Sequence, residues 1–320
     1  MAVARPILLA VPNISEGRDR AVIERVAGAF VPPRPSAADV GPVRLLDVHS
    51  DADHHRSVFT LAGSAPQIGD ALVNGASETL CSIDVLARAC GDPAQAGAHP
   101  HVGAIDVVPL VYFDSRARGA ACAEALVVGE RLGSELGVPV FLYGELAGDL
   151  PGRTRAALRR GGVAGLAARM TGAPRQGERD TRPLRPDFGP SAPHPSAGVT
   201  LVAAREPLVA FNLRLQPPAS IDDARRIAAQ IREGGEHGLP GLRAIGVALS
   251  DGAAQVSMNV ERPLELPLGE VVRAVQKLAP VASAELVGLA PRAAFEGFPA
   301  ELPMPGFQAD RHVIENALSL

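Results

Sequence analysis

Between residues 208 and 289 the apolar residues change period in an order that restricts the fold more than anything else in the chain. Residues 209–215 read as a strand, and residues 221–233 carry apolar side chains at helical spacing after Ser220 or Asp222. Residues 242–249 and 255–260 are strands joined at the turn Ser250-Asp251-Gly252. A helix at 268–278 and a strand at 284–289 close the series. The order β-α-β-β-α-β is that of two interleaved βαβ units, the ferredoxin-like arrangement, with both helices on one face of an antiparallel sheet.

The first half reads similarly, with an extra helix and strand appended. Strands are expected at 7–11, 45–48, 58–61, 105–111 and 138–143, and helices at 19–30, 66–80 and 117–136. Asp19 serves as N-cap of the first helix, and Pro32, Pro33 and Pro35 stop it. The expected architecture is therefore α/β (α+β), with two such subdomains, residues 1–207 and 208–320, meeting at a crevice of the kind ligands favour. Residues 148–198 form a connector rich in arginine, glycine and proline. From 148 to 185 it holds nine arginines (153, 155, 159, 160, 169, 175, 179, 182 and 185) against Asp149, Glu178 and Asp180. This stretch reads either as a solvated link, above all at 171–182, or as an arginine wall for an anionic ligand. Residues 156–170 have room for one or two short helices.

Charge excludes some partners. The net charge is −4, so no global basic field exists to hold nucleic acid or an anionic membrane. Lys277 is the only lysine among 31 basic residues, and arginine grips carboxylates as a planar fork where lysine offers a point charge. Cys81, Cys90 and Cys122 form no CxxC pair, which argues against a disulfide framework and fits a reducing cytoplasm. The apolar run at 6–11 ends at Pro12-Asn13 and reads as a first strand, not a signal peptide. No run approaches the roughly 18 apolar residues of a membrane span.

Histidine carries the chemical signal. Five of eight lie in two short loops: His49, His54 and His55 in DVHSDADHHRS, and His99 and His101 in GAHPHVGAID. One histidine is by default a surface or satisfied core residue; two histidine-rich loops flanking buried strands are less easily explained that way. Asp106 either orients a histidine through a ring nitrogen or caps its strand. His99 and His101, with Asp51, Asp53, His54 and His55, suit either a divalent metal site for hydrolysis or metal-free acid–base catalysis by one histidine. A third feature is PDFGPSAPHPSAGVT at 186–200, whose prolines and glycines set an extended loop with accessible backbone amides. It suits a flat heterocycle or an interdomain link.

The motifs VPNISEG (11–17), DADHHRSVFTLAG (51–63), GAHPHVGAIDVVPL (97–110), GVPVFLYGE (137–145), PDFGP (186–190) and AAREPLVAFNLRL (203–215) occur in one order, with LVGLAP (286–291) fainter behind them. Together they resemble the formiminotransferase family of histidine breakdown, in its stand-alone form without the cyclodeaminase domain of animal relatives. The resemblance implies two α/β subdomains, a homodimer, and transfer of a formimino group between N-formimino-L-glutamate and tetrahydrofolate as co-substrate, with no metal. It places the catalytic histidine of the G-x-HP motif at His99. The folate loop falls on Gly189, Pro190, Ser191, Ala192, Pro193, His194, Pro195, Ser196, Ala197 and Gly198. Both substrates carry carboxylates, so arginine contacts are expected, with Arg56 and Arg205 the positions inside matched motifs. Three departures stand out: His101 where the family usually has Arg, His55 within a usual DHNR, and His49 where some members have an acid. His101 is accordingly expected to bind or position substrate. Two rival readings remain, a metal-dependent hydrolase built on the histidine loops and a folate-binding relative without turnover.

Overall fold

The opening strand of the chain is split. Leu8–Ala10 (β1) and Asn13–Ile14 (β2) follow one another, and Pro12 between them has no N–H for the ladder. The sequence suggests that the strand ends at Pro12-Asn13. Pairing instead resumes, because Asn13 and Ile14 still meet Val58 and Ser57 across the sheet. The structure, a computed structural model, describes residues 5–31, 42–89, 100–148, 150, 152–172 and 182–319. It divides into two units, Met1–Arg205 and Glu206–Leu320.

In the first unit, α1 (Arg20–Phe30) begins where expected, with the Asp19 carboxylate accepting from the N–H groups of Ala21 and Val22. It buries Val22, Ile23, Val26 and Phe30. Phe30 meets Phe59 at 5.1 Å between ring centroids, and truncating such a residue to Ala costs about 3–5 kcal/mol. The hairpin of β3 (Arg44–Asp51) and β4 (Arg56–Gly63) follows, then α2 (Gln67–Ser82), the short α3 (Val85–Ala89) and β5 (Ile105–Val111). The order β3, β4, β1/β2, β5 is antiparallel throughout and is the interleaved pattern read from the sequence. Then comes the extension. After α4 (Arg118–Ser134) the chain forms β6 (Val140–Leu142), α5 (Arg155–Arg159) and α6 (Gly162–Thr171). It returns as β7 (Thr200–Arg205), which lies parallel to and between β5 and β6.

The appended part therefore holds two strands, not the one expected. β7 escapes a reading by alternation because it is covered on both faces: Val202 and Ala204 join the core with α1, α2 and α4, while Leu201 and Ala203 join the core with α5 and α6. Of the connector, residues 173–181 lie outside the described residues, and two short helices do form ahead of them.

The second unit realises the six-element pattern. β8 (Val209–Leu215), α7 (Ile221–Ile231), β9 (Leu242–Ala248), β10 (Ala254–Val260), α8 (Leu268–Gln276) and β11 (Val281–Val287) give an antiparallel sheet of order β11, β8, β10, β9. Ser220 starts α7 through a reciprocal capping box with Asp223. Its core is apolar, with Phe211, Leu213, Ile227 and Val271 fully buried. Two short helices, α9 (Ala309–His312) and α10 (Ile314–Leu318), follow the sheet. No helix among the described residues is long and apolar enough to cross a membrane.

Candidate active site

The polar residues of the matched motifs gather at one end of the first sheet, where β2, the β3–β4 turn and the start of β5 come together. Glu16, just past β2, is 2% exposed. Its Oε1 accepts from the N–H groups of Arg18 and Asp19 at 2.8 and 3.0 Å, and its Oε2 pairs with Arg88. Burial works against ionising Glu16, yet the two N–H groups and the Arg88 guanidinium outweigh it and lower its pKa. Gly17 follows, so close to the turn that a Cβ would sit 2.1 Å from the Asp51 carbonyl oxygen. No larger residue fits.

That close approach sets His55. It is buried, its φ is +50°, and its Nδ1 accepts from the Gly17 N–H at 3.1 Å, with Glu16 Oε1 at 3.4 Å. A ring that accepts at Nδ1 is the neutral imidazole, with its proton on Nε2. Burial lowers its pKa, the Glu16 charge opposes, and the charges of Arg88, Arg18 and His101 add to the lowering. His54 is held differently. Asp51 accepts from its backbone N–H at 2.8 Å and lies 2.7 Å from its Nδ1. Burial raises the Asp51 pKa, but these bonds prevail and hold it at about 2.

Asp106, second residue of β5, is fully buried. It neither touches a described histidine nor simply ends the strand: Oδ1 accepts from the Val102 N–H at 2.8 Å, and Oδ2 pairs with Arg159 of α5. Arg56 stands at the start of β4, opposite Asp51. Burial pulls its guanidinium down to about 10; Arg159 and Arg155 push the same way, and Asp106 and Asp51 oppose them.

The structure also brings two of the expected segments together. Residues 102–104 are stitched to 197–199: Val199 N–H donates to the Val102 carbonyl at 3.0 Å, Ala104 N–H donates to the Ala197 carbonyl at 2.8 Å, and Gly103 bridges Gly198. Gly198 has φ +71°, and a Cβ there would lie 2.5 Å from the Val102 carbonyl oxygen. His194 closes the turn, its Nδ1 accepting from the Ala197 N–H at 3.1 Å. Ser196 presents its carbonyl to the Val85 N–H at 2.9 Å. The other end of this loop is anchored on β6, where Gly189 lies against the Val138 carbonyl and Asp187 accepts from the Leu142 N–H at 2.7 Å. Pro190, Ser191, Ala192 and Pro195 are exposed and Pro193 is half-buried between these anchors.

Not every expected residue arrives. Arg205 ends β7 opposite Val111, six residues along β5 from Ile105. At about 3.3 Å per residue that separates it from the Asp106 end by roughly 20 Å. His49 lies on β3 opposite Val58, and Asp53 sits in the β3–β4 turn. His99 lies outside the described residues, two positions before His101, which is half-buried. Among the described residues no three His, Cys, Asp or Glu side chains are grouped to hold a metal ion. Sequence reasoning singled out neither Glu16 nor Arg88, and it named Arg155 and Arg159 only among the nine arginines of the connector. The segment 11–17 was the signal for Glu16, and the excess of arginine for the others.

A family model described as the formiminotransferase domain, N-terminal subdomain, matches residues 7–205, the span of the first unit. Among curated proteins, the chain is 35% identical over 322 residues to a glutamate formimidoyltransferase of Streptococcus pyogenes serotype M1, covering 98% of both chains. It is 32% identical to a glutamate formimidoyltransferase of Thermoplasma acidophilum, over 89% of this chain and 88% of that one. It is 36% identical to a formimidoyltransferase-cyclodeaminase of Sus scrofa, over 88% of this chain and 49% of the relative, about half of that longer protein. A model seated on the unit that gathers the buried charges, and relatives aligned from end to end, place this chain in the formiminotransferase family.

Proposed function

We propose that the protein transfers a formimino group between N-formimino-L-glutamate and tetrahydrofolate, the latter as co-substrate, in histidine degradation. The observation that carries this reading is the end-to-end likeness to a glutamate formimidoyltransferase. The charged end of the first sheet supports it, because it clusters a neutral histidine, guanidinium groups and a buried carboxylate beside residues 101–106.

The transferred group is an amidine carbon on nitrogen. The attacking amine adds to that carbon, giving a tetrahedral centre bearing three nitrogens. Collapse then breaks the bond to the departing amine, which must leave protonated. His99 takes the proton from the attacking amine and returns it to the leaving nitrogen, a role worth roughly 10²–10⁴ in rate. The proline after it restricts its backbone. His101 and Arg56 position substrate beside it. The loop from Gly189 to Gly198 is the folate loop, exposed in its middle and tied at both ends. The reading extends to a cytoplasmic homodimer that needs no bound metal and acts on small molecules.

An assay of the purified protein with both substrates tests the reading directly. Turnover is expected with the pair and not with either alone, and it is expected to survive EDTA. Tetrahydrofolate is expected to raise the melting temperature by binding the native state. No turnover and no shift would overturn the proposal, and stoichiometric zinc in active protein would replace its mechanism with a hydrolytic one.

A further inference from the structure

The arginines of the connector divide by what they touch. Arg153 pairs with Asp187 at 2.6 Å, donates to the Arg185 carbonyl at 2.8 Å and lies 4.9 Å over the Phe141 ring. Arg169 donates to the carbonyls of Ala157 and Leu158 at 2.8 and 2.5 Å, closing the end of α5. Both hold the fold together. Arg160 is exposed. Arg159 turns inward to Asp106, and the side chains of this pair are 9% and 1% exposed.

That pair is unbalanced. Asp106 spends one oxygen on the Val102 N–H, while Arg159 uses only Nη2 for Asp106. Its Nε is buried without a hydrogen-bond partner among the described residues. Two further guanidinium groups stand close by, Arg56 and Arg155, near enough for Arg159 and Arg155 to act electrostatically on Arg56. At Arg56 the repulsion from Arg159 and Arg155 outweighs the attraction of Asp106 and Asp51, so positive charge prevails beside the buried pair. A second carboxylate relieves that repulsion and supplies an acceptor for the orphaned Nε–H.

We propose that Arg159, with Arg155 and Arg56 beside it, is the seat for a carboxylate of a glutamyl group, and that Asp106 is a positioning residue that fixes the Arg159 guanidinium. The choice of a glutamyl group rests on the transfer reaction proposed above, since both of its substrates carry one; the anion seat itself rests on the arginines.

The test uses the full chain and steady-state kinetics with each substrate in turn. Three variants are compared with wild type: Arg155→Gln, the pair Arg159→Gln with Asp106→Asn, which leaves no lone charge buried, and the exposed control Arg160→Gln. The first two are expected to raise KM for one glutamyl substrate about tenfold or more while kcat changes far less. A rise for formiminoglutamate assigns the seat to the donor amino acid. A rise for tetrahydrofolate that disappears with tetrahydropteroate, which lacks the glutamyl tail, assigns it to folate. Unchanged KM for both substrates in the folded variants overturns the proposal, and so does an equal effect of Arg160→Gln, which would make the effect one of overall charge. Should the double variant not fold, Arg159→Lys takes its place; it keeps the charge beside Asp106 but loses the fork, so a raised KM is again expected. Should the wild type show no transfer, the reaction is wrong, and the seat is judged by calorimetry. Binding of N-formimino-L-glutamate or p-aminobenzoyl-L-glutamate that weakens in Arg155→Gln then upholds it, and no binding to wild type overturns it.

Discussion

The two units share the six-element plan but treat charge in opposite ways. In the second unit the described ion pairs are on the surface, such as Arg214 with Asp251 and Arg226 with Asp223, and the buried polar side chains are the neutral Asn212 and Gln255. The first unit buries Glu16, His54, His55, Asp106 and Glu124, and all but Glu124 lie at one end of its sheet. Burying ionisable groups costs stability unless each is paired and hydrogen-bonded, so a fold that needs none, as the second unit demonstrates, carries them for another reason. The difference is what the proposed site at that end accounts for.

The contrast can be broken most severely at His99. His99→Ala is expected to lower kcat about 10²–10⁴-fold with little change in KM, because the proton transfer is made in the transition state. A folded variant turning over near the wild-type rate would uncouple the charged end from catalysis. Next in size is Asp106→Ala, which strands Arg159 and the Val102 N–H. A loss of about 3–5 kcal/mol is expected, read by calorimetry. Arg214→Ala, breaking an exposed pair of the second unit, is expected to cost no more than about 1 kcal/mol. Equal losses would erase the distinction between the units.

Asp51→Asn sharpens the contrast through pH. The wild-type carboxyl is held at about 2 against an ordinary 3.8. Its contribution is therefore complete above about pH 4 and lost as pH falls towards 2, so the variant should be about 2 kcal/mol less stable at neutrality and the gap should close in acid. Denaturant titrations at pH 7 and pH 2.5 measure it. Smallest is Glu124. It is pressed against α2 where a Cβ on Gly69 would lie 2.0 Å from its Oε1, and that oxygen has no partner among the described residues. Burial raises its pKa and the Asp70 charge adds to this, outweighing the Gly69 N–H and the Arg131 charge, which oppose. A raised carboxyl loses stability as pH climbs through its folded value, so Glu124→Gln should gain on the order of 1 kcal/mol at pH 7 and nothing in acid. A loss at pH 7 would show that this burial is compensated.

How far the sequence discloses these features follows from the physics of each. The six-element series of the second unit is legible, since its helices carry one apolar stripe and Ser220 announces α7, although the closing strand begins three residues earlier than expected and the short α9 and α10 behind it gave no signal. β7 is not legible, because its four apolar residues, Leu201 to Ala204, are covered on both faces and have no period to read. His54, His55, Arg56, His101 and Asp106 were visible as a motif-borne set, and the fold brings them to one end of one sheet. Arg159 was hidden among nine arginines, since what distinguishes it is a partner 53 positions away. Arg205 shows the converse: it belongs to a matched motif, yet its strand carries it to the other end of the sheet.

The central place of β7 bears on how the chain is made. Apart from the single bridge of Val140 to Phe188, β6 pairs among the described strands with β7, and β7 is the last strand of the first unit to be synthesised. Until residue 205 has left the ribosome, a nascent chain displays one edge of β5 bare, apolar but for Asp106, and holds β6 against Phe188 alone. Such an edge invites pairing between neighbouring nascent chains until β7 fills the gap.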